Sequence, residues 1–554
     1  MLTGNAVVNL GVLFKSGSLI GQKYNVYRIL GYGGFGIVYL VYLEETKSVY
    51  ALKTFKDEYL RDMKMRELFN KEANIWVDLG RHPYLVQAYF VDQVQGRLYI
   101  AMEYIRPNEQ GLNSLEGYLA LQPPDLAQSL RWAIQFCYGI EYAYSKGMRC
   151  HRDIKSSNIM ISRDKTVKIA DFGLAGILDA MRITSGNWLN IQHGKVGLSI
   201  IMEGRGIGTP THMPPEQFLN AANCDERSDI YSFGIVLYQM VTGGKLPFFP
   251  RLPMDNSDHE TRRFCEEMYR LHSQAPIPIL YSPLFPIIQH CLEKDPDRRY
   301  QTFKELRADL EALLKHQTGE IFKTPEIGDL DADGWIQKGY SLDTLNRFSE
   351  GLQCYDRALE ISPKNAVAWN NKGFALDKLG RYVEAMQCFD RAIKINSKYA
   401  MPWFNKGLSL CNLGRFAESL QCFDRALEIN PKFAAGWHNK GVSLDRLGRS
   451  EESLRCQEKA LEIDQQDAFA WNSKGYILYN SGRIVDALQC FNKSTEIDPQ
   501  YARAWNNKAL AEDKLGLRLN AINSYKEFIK RVPANYSQPH INYAIKRLRE
   551  LEGR

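Results

Sequence analysis

The chain has 554 residues, of which 45% are hydrophobic and 24% are charged. This composition provides enough apolar surface for several cores and excludes a largely disordered, collagen-like or small disulfide-stapled protein. The net charge is only +6, and residues 335–554 carry 33 Lys or Arg against 25 Asp or Glu. Such a diffuse surplus is a poor nucleic-acid footprint, so we expect no nucleic-acid partner.

The N-terminal extension, residues 1–20, has no basic leader followed by a long apolar core. No run of about 18 uncharged apolar residues occurs in the chain, so we predict neither a secretory signal nor a membrane span, and expect a cytoplasmic protein. Five of the 11 cysteines recur at one constant spacing, and none forms a CxxC pair. Copies of one repeat position need not face each other, which favours reduced, buried thiols over a disulfide framework.

A glycine-rich segment, Gly31–Gly36 with the sequence GYGGFG, joins strand-like runs at Tyr24–Leu30 and Ile37–Leu43. The dinucleotide-binding fingerprint requires a strand followed by a helix, so glycines between two strands disfavour it. Glycines at the tip of a hairpin let the backbone lie against phosphates, with N–H groups donating to their oxygens. We therefore predict a phosphate-covering hairpin.

The next strand-like segment, YALKTF, contains Lys53. A lysine in an apolar strand needs an anionic partner, because burying an unpaired charge is costly. Glu72 lies in the helical segment that follows this strand. We predict a Lys53–Glu72 ion pair that leaves the ammonium able to touch phosphate oxygens, the alternative being that Glu72 is a solvated residue of the helix surface.

Two further motifs supply carboxylate and amide side chains. HRDIKSSN occupies 151–158, and a second motif, DFG, follows at 171–173. The oxygens of Asp153, Asn158 and Asp171 are hard ligands of the type that Mg²⁺ prefers. The sequence therefore predicts a magnesium site.

In this order and spacing, the motifs resemble the protein-kinase signature set. Residues 20–315 are similar to the eukaryotic-like Ser/Thr protein kinases found in many prokaryotes. The resemblance implies a kinase domain at 21–315 with the bilobal fold, which has a β-rich N-lobe and a helical C-lobe. It also implies transfer of the γ-phosphate of ATP to Ser/Thr hydroxyls of protein substrates, with Mg²⁺, or alternatively Mn²⁺, as the divalent ion.

The resemblance also assigns roles to individual residues. Asp153 would orient the substrate hydroxyl and accept its proton, and Lys155 would neutralise charge on the γ-phosphate. Lys53, braced by Glu72, would hold the α- and β-phosphates. The residues expected at the ATP site, including the hinge and the adenine pocket, are Gly31, Gly33, Gly34, Gly36, Val38, Ala51, Lys53, Met102, Glu103, Ile105 and Met160. The residues expected to ligate the metal are Asn158 and Asp171.

The stretch from Asp171 to Glu216 is long for an activation segment. An added phosphate could pair with Arg152 and order this segment, the alternative being a flexible surface loop. The resemblance further implies that Glu216 pairs with Arg299 and that Asp229 braces the catalytic loop. The hydroxyl residues considered in the activation segment are Thr184, Ser185, Ser199 and Thr209.

A linker at 316–334, with acidic residues and glycine, is expected to permit a mobile arrangement. After it, Trp recurs six times from Trp335 to Trp505, with a constant period of about 34 residues that is typical of repeat architectures. A small residue four positions after each Trp and a later aromatic predict two closely packed helices per unit, which must stack on their neighbours. Residues 335–538 resemble six tetratricopeptide (TPR) repeats, which implies an α-solenoid with a concave side that binds proteins or peptides. Residues 539–554 are predicted to form a capping helix.

Two ladders of polar residues run through the repeats, one of asparagines and one of lysines from Lys338 to Lys508. They could donate to a peptide ligand, or could be structural positions at which each lysine stem covers apolar surface. The leading hypothesis is an active Ser/Thr protein kinase whose TPR array recruits protein partners or substrates. The alternatives are an ATP-binding pseudokinase scaffold and a small-molecule kinase. The asparagine ladder consists of Asn371, Asn405, Asn439 and Asn507.

Overall fold

The computed structural model describes residues 14–21, 23–32, 36–59, 63–94, 96–172, 210–220, 223–250, 258–532 and 538–553. The chain divides into two compact units, residues 1–347 and 348–554. Six predicted site residues lie outside the described residues: Gly33, Gly34, Thr184, Ser185, Ser199 and Thr209.

The first unit begins with an antiparallel sheet in the order β1-β2-β3-β4-β6-β5. Its strands are β1 (Leu19–Ile20), β2 (Tyr24–Tyr32), β3 (Gly36–Leu43), β4 (Ser48–Phe55), β5 (Ala88–Val94) and β6 (Arg97–Met102). β3 alternates between half-buried and buried residues, because successive side chains of a strand point to opposite faces. Tyr39, Val41 and Leu43 thereby enter the hydrophobic core of the sheet. Helix α1 (Met63–Leu79) connects β4 to β5.

The rest of the first unit is mostly helical. Its helices are α2 (Leu115–Leu121), α3 (Leu126–Ser145), α4 (Pro215–Leu219), α5 (Glu226–Thr242), α6 (Asp258–Gln274), α7 (Phe285–Cys291), α8 (Phe303–Thr318) and α9 (Ala332–Thr344), with a hairpin of β7 (Ile159–Ile161) and β8 (Val167–Ile169). α5 is buried from Ser228 to Met240. It begins with a capping box at Asp225 and ends at Gly243, which has a φ of 66° suited to glycine. The ring of Phe233 on α5 stacks on Phe136 of α3 at 4.2 Å.

The first residues of the predicted linker, 316–334, contact helix α3. Glu320 accepts hydrogen bonds from Arg131 Nε at 2.9 Å and Nη2 at 2.7 Å. The ring of Phe322 stacks on Tyr138, with centroids 5.9 Å apart and planes inclined by 22°. The linker was expected from its composition to be mobile. The structure instead gives it specific contacts with α3, because Glu320 pairs with an arginine and Phe322 with a tyrosine of that helix.

The second unit consists of helix pairs that follow the period of the sequence repeat. Its helices are α10 (Phe348–Ile361), α11 (Ala366–Lys378), α12 (Tyr382–Ile395), α13 (Ala400–Asn412), α14 (Phe416–Ile429), α15 (Ala434–Arg446), α16 (Ser450–Ile463), α17 (Ala468–Asn480), α18 (Ile484–Ile497), α19 (Ala502–Lys514), α20 (Arg518–Arg531) and α21 (Gln538–Glu552). A Cβ on Gly407 would lie 2.6 Å from the ring of Phe423, and one on Gly475 would lie 2.7 Å from Phe491. The predicted pairing of a small residue with an aromatic is thus the contact that holds two helices together.

Four lysines of the ladder make ion pairs between neighbouring repeats. Lys372 binds Asp356 at 2.5 Å, and Lys406 binds Asp390 at 2.6 Å. The same arrangement recurs for Lys440 with Asp424 and Lys474 with Glu458. These lysines are therefore structural residues that join consecutive helix pairs.

Part of the asparagine ladder is also engaged within the array. Asn405 Nδ2 donates to Asn370 Oδ1 at 3.0 Å, and Asn507 Nδ2 donates to Asn472 Oδ1 at 2.9 Å. Asn439 Nδ2 donates to a backbone carbonyl of its own helix. These contacts favour the structural interpretation of the ladder over a rail of donors for a peptide.

None of the 11 cysteines, all of which are described, forms a disulfide, and nine of them are buried. No helix in the described ranges is long and apolar enough to cross a membrane.

Candidate active site

Three charged side chains meet beside the sheet. Lys53 Nζ on β4 lies 2.5 Å from Glu72 Oε1 on α1 and 2.8 Å from Asp171 Oδ1. Burial acts to lower the pKa of Lys53, but Asp171 and Glu72 together raise it above its ordinary value. Burial raises the pKa of Glu72, and the Lys53 charge opposes this shift. The predicted Lys53–Glu72 pair is present, and Asp171 completes it as a triad.

The catalytic-loop residues form a second cluster. Lys155 Nζ donates to Asp153 Oδ2 at 2.7 Å. Asn158 Nδ2 donates to the same oxygen and to the Asp153 carbonyl, both at 2.9 Å. Burial raises the pKa of Asp153, while Lys155 acts to lower it. The carboxylate is therefore held in one orientation by two donors.

Asp229 supports the backbone of this loop from the buried helix α5. Its carboxylate accepts from the backbone N–H of His151 at 2.5 Å and of Arg152 at 2.8 Å, and from Tyr144 Oη at 2.5 Å. Arg152 has a φ of 66°, which is uncommon for a residue other than glycine. A strained backbone conformation persists where surrounding contacts hold it. The hydrogen bonds to Asp229 hold it here, next to Asp153.

A row of aromatic side chains links α1 to the loop. The indole of Trp76 packs edge to face on Phe172, with centroids 4.9 Å apart. Phe172 lies next to His151 at 5.0 Å. Trp76 Nε1 also donates to Glu72 Oε1 at 3.4 Å. Sequence reasoning did not single out Trp76, although its position one helical turn after Glu72 places both on one face of α1.

The predicted adenine-pocket residues share one face of the sheet. Val38 pairs directly with Lys53, and Ala51 pairs directly with Met102, so these four side chains point the same way. Met160 lies on β7 of the second hairpin. Val38, Ala51 and Met102 give this face of the sheet apolar side chains beside Lys53, as the predicted adenine site requires.

The hinge follows β6. The Glu103 N–H donates to the Gln87 carbonyl at 2.7 Å, and the Ile105 carbonyl accepts from Asn113 at 2.9 Å. The Glu103 carboxylate binds Lys168 at 3.1 Å, a contact that the sequence did not indicate. These two contacts use the Glu103 N–H and the Ile105 carbonyl, and not the Glu103 carbonyl and Ile105 N–H that the predicted adenine contacts require.

Residue 36 must be glycine because the backbone of β4 passes close to it. A Cβ there would lie 2.9 Å from the Thr54 carbonyl oxygen and 3.7 Å from Lys53 Cε. Gly31 has no such neighbour within 4 Å. The two glycines thus differ, with Gly36 fixed by packing next to Lys53 and Gly31 open.

The predicted Glu216–Arg299 pair is buried and bidentate. Arg299 Nη1 and Nη2 lie 2.7 Å and 3.0 Å from the two Glu216 oxygens, and the Arg299 side chain is 0% exposed. Gln217, the next residue, donates to the Arg152 carbonyl at 3.1 Å. Glu216 and Gln217 are therefore tied to Arg299 and to the backbone of Arg152.

The donor chemistry at Asn158 and Asp171 fits a magnesium ion. Asn158 commits its Nδ2 to Asp153 and so has its amide oxygen to offer. The Asp171 side chain is 45% exposed and carries a carboxylate, with a backbone φ of 63°. Mg²⁺ is commonly bound by one or two carboxylates together with substrate phosphates. Asn158 and Asp171 would supply the protein oxygens, and the phosphates of ATP would supply further ligands.

Residues 24–316 match the family model described as the protein kinase domain. The match covers more than half of the chain, and the chain belongs to the protein kinase domain family. Tetratricopeptide repeats follow, with matches at residues 332–365, 366–399, 400–433, 422–455 and 468–501. The predicted fold class, a kinase domain followed by TPR helix pairs, is confirmed.

Curated bacterial proteins are similar to the kinase part of the chain. A probable serine/threonine-protein kinase of Clostridium perfringens is 29% identical over 299 residues, which are 54% of this chain and 39% of that protein. Another of Streptomyces coelicolor is 30% identical over 57% of this chain and 43% of its own length. The serine/threonine-protein kinase PknB of Mycolicibacterium smegmatis is 30% identical over 56% and 45%. The chain spans less than half the length of these relatives.

Proposed function

We propose that this chain is a Ser/Thr protein kinase that transfers the γ-phosphate of Mg·ATP to hydroxyls of protein substrates. The observation that carries the proposal is a pair of neighbouring clusters, the Lys53–Glu72–Asp171 triad and the Asp153–Lys155–Asn158 group, in which the Asp171 charge acts on Asp153. Membership of the protein kinase domain family supports it, as does the similarity to bacterial proteins named as serine/threonine-protein kinases.

Nucleotide binding follows from the shared face of the sheet. The adenine ring would lie between Ala51 and Met160, with the Glu103 carbonyl and the Ile105 N–H as its hydrogen-bond partners. Lys53 would then reach the α- and β-phosphates, because Glu72 holds its ammonium at this face. Gly36 permits the backbone to approach the same phosphates.

Phosphoryl transfer requires in-line positioning and concentrated positive charge more than covalent chemistry. Asp153 would orient the substrate hydroxyl and accept its proton, since its carboxylate is fixed by Lys155 and Asn158. Lys155 would stabilise charge on the γ-phosphoryl oxygens. Bound through Asn158 and Asp171, Mg²⁺ would neutralise charge on the phosphates as they separate. An unactivated hydroxyl suffices if bonding to the leaving oxygen is largely broken in the transition state, so a plain carboxylate base is adequate.

The array of TPR helix pairs would recruit protein partners and so raise the local concentration of substrate near the active site. Because four lysines of the ladder are engaged in ion pairs, we assign ligand recognition to other residues of the array. Eleven cysteines without a disulfide fit a reducing compartment, and we include a cytoplasmic location in the proposal.

The test compares wild type with Asp153→Asn and with Asp164→Asn after incubation with Mg·ATP and a generic Ser/Thr peptide. Asp164 is an exposed residue of the β7–β8 turn that contacts Ser162 and Thr166, so it serves as the matched control. Asp153→Asn should lower turnover by about 10²–10⁴-fold while ATP affinity stays within about twofold, because the carboxylate acts mainly in the transition state. Asp164→Asn should keep wild-type turnover.

Peptide mass spectrometry reads phosphate transfer, and calorimetry reads ATP affinity. A wild-type chain that binds ATP but phosphorylates neither itself nor the peptide would favour the pseudokinase scaffold. Equal losses of binding and turnover in Asp153→Asn would contradict the role given to Asp153.

A further inference from the structure

The helix that carries the first repeat tryptophan, α9, belongs to the kinase-containing unit, residues 1–347. It packs against β5 and the C-terminal half of α1. β5 is the edge strand of the sheet. An edge strand presents backbone groups without ladder partners, and such groups must be satisfied when they are buried.

Ser341 of α9 satisfies one of these groups. The N–H of Val91, in the middle of β5, donates to Ser341 Oγ at 2.9 Å. Ser341 is 1% exposed, and its hydroxyl in turn donates to the Gln337 carbonyl at 2.8 Å. The edge of the sheet is thus closed by a side chain of α9.

Two polar contacts flank this bond. Tyr340 Oη donates to Asp92 Oδ1 at 2.8 Å, and Asp92, which is 3% exposed, also binds Lys23 and Tyr24. Burial alone would raise the pKa of Asp92, but its hydrogen bonds hold it below the ordinary value. The buried Asp92 carboxylate of β5 therefore connects α9 to Tyr24 on β2 as well as to β5.

The contact with α1 is direct. Arg347, just after α9, lies 2.9 Å from Asp78 and 3.0 Å from Asn74 Oδ1, both on α1. Trp76, between these two residues in sequence, lines a small cavity together with Gln337 of α9. Trp76 faces the active site at its other side, where it bonds Glu72 and packs on Phe172.

We propose that α9 is a positioning element of the active site, which holds α1 where Glu72 meets Lys53. The proposal rests on the kinase function proposed above. Ser341 and Arg347 are positioning residues, because they touch neither substrate nor reacting atoms. Release of α9 opens the edge of the sheet, frees the outer surface of α1 and withdraws Glu72 from Lys53.

The test uses the full chain with Ser341→Arg, which cannot dock because an arginine side chain does not fit the contact with Val91. Its matched control is Ser443→Arg, since Ser443 occupies the same place relative to Trp437 as Ser341 does to Trp335, and is also fully buried. Both variants damage one repeat helix, but only the first lies against the kinase sheet.

For Ser341→Arg we expect kcat on a generic Ser/Thr peptide to fall by about tenfold or more, with the peptide KM unchanged, because the population with Glu72 in place decreases. Hydrogen exchange of the α1 and β5 amides should accelerate. Ser443→Arg should leave kcat and α1 exchange near wild type. If α9 exchanges faster in Ser341→Arg while kcat or α1 protection stays at the wild-type level, the proposal is overturned.

A milder pair covers the case in which Ser341→Arg does not fold. Arg347→Gln removes the ion pair to α1, and Arg381→Gln removes the equivalent arginine one repeat later, which pairs with Glu384 within the second unit. Only Arg347→Gln should accelerate α1 exchange, and equal behaviour of the two variants would overturn the proposal. A wild-type chain without phosphotransfer would contradict the proposed function alone, since the exchange of α1 still decides whether α9 positions it.

Discussion

Trp76 donates its indole N–H to Oε1 of Glu72, the same oxygen that accepts from Lys53. The two residues are one turn apart on α1, so the helix itself sets the direction of the carboxylate. Trp76 is 2% exposed and Glu72 is 5% exposed, which removes competition from water. The ion pair is therefore fixed by a neighbouring ring as well as by charge.

Glu72→Gln should lower kcat by about tenfold or more. Gln preserves size and can accept from both Trp76 and Lys53, but it removes the charge that balances the buried ammonium. Asp171 would then be the remaining anionic partner of Lys53 within the described triad and would be drawn toward it. Steady-state kinetics with a peptide substrate measure the change.

Glu67→Gln is the control on the same helix. Glu67 is exposed and lies 3.5 Å from Lys71, and such surface pairs contribute about 0–1 kcal/mol. Its kcat and unfolding midpoint should match wild type. A Glu72→Gln enzyme with full turnover would show that the pair is dispensable.

Three buried histidines, His82, His212 and His272, make the first unit sensitive to acid, because burial lowers the pKa of each. Burial lowers the pKa of His212 to about 4 and that of His272 to about 3. In the unfolded chain all three titrate near pH 6.5, so between these values the unfolded state binds more protons. The free energy of unfolding should therefore fall as the pH drops from 7 to 5, by roughly 1–2 kcal/mol per histidine.

Urea unfolding at pH 7 and pH 5, followed by Trp fluorescence, measures this loss. His272→Gln should reduce the pH dependence by the share of one histidine, whereas exposed His316→Gln should leave it unchanged. An unfolding free energy that is equal at both pH values would contradict the burial of neutral imidazoles.

Gly407→Ala should destabilise the second unit by about 1–3 kcal/mol, because the new methyl group overlaps the fully buried ring of Phe423. Gly328→Ala is the control, since a Cβ there meets nothing within 4 Å. Thermal unfolding monitored by circular dichroism distinguishes the two variants. A Gly407→Ala array as stable as wild type would mean that the helices can separate without loss.

The helix pairs could be predicted because each repeat uses the same local contact between a small residue and an aromatic ring. Gly407 and Phe423 make this contact within one repeat, so the same residue pattern recurs along the sequence. The kinase motifs are likewise short, and the strands around Lys53 follow from alternation over a few residues. Such local patterns were sufficient for the fold class.

The contacts of Ser341 could not be predicted in this way. Serine at this repeat position is also found at Ser409 and Ser443, so nothing local marks Ser341 as a partner of a strand that lies far earlier in the chain. The linker was expected to be mobile because its composition does not show that Glu320 and Phe322 have partners on α3, a helix far earlier in the chain. Long-range complementarity of this kind leaves no periodic trace.

The boundary between the compact units falls at Arg347, inside the first sequence repeat rather than before it. A chimera that exchanges this array for another should therefore be joined at this boundary. A junction after residue 347 keeps the helix that closes the edge of β5, whereas a junction at 334 exchanges it for a helix selected to pack elsewhere. The first compact unit thus contains the kinase domain and the first helix of the repeat region, and the second contains the remaining repeats.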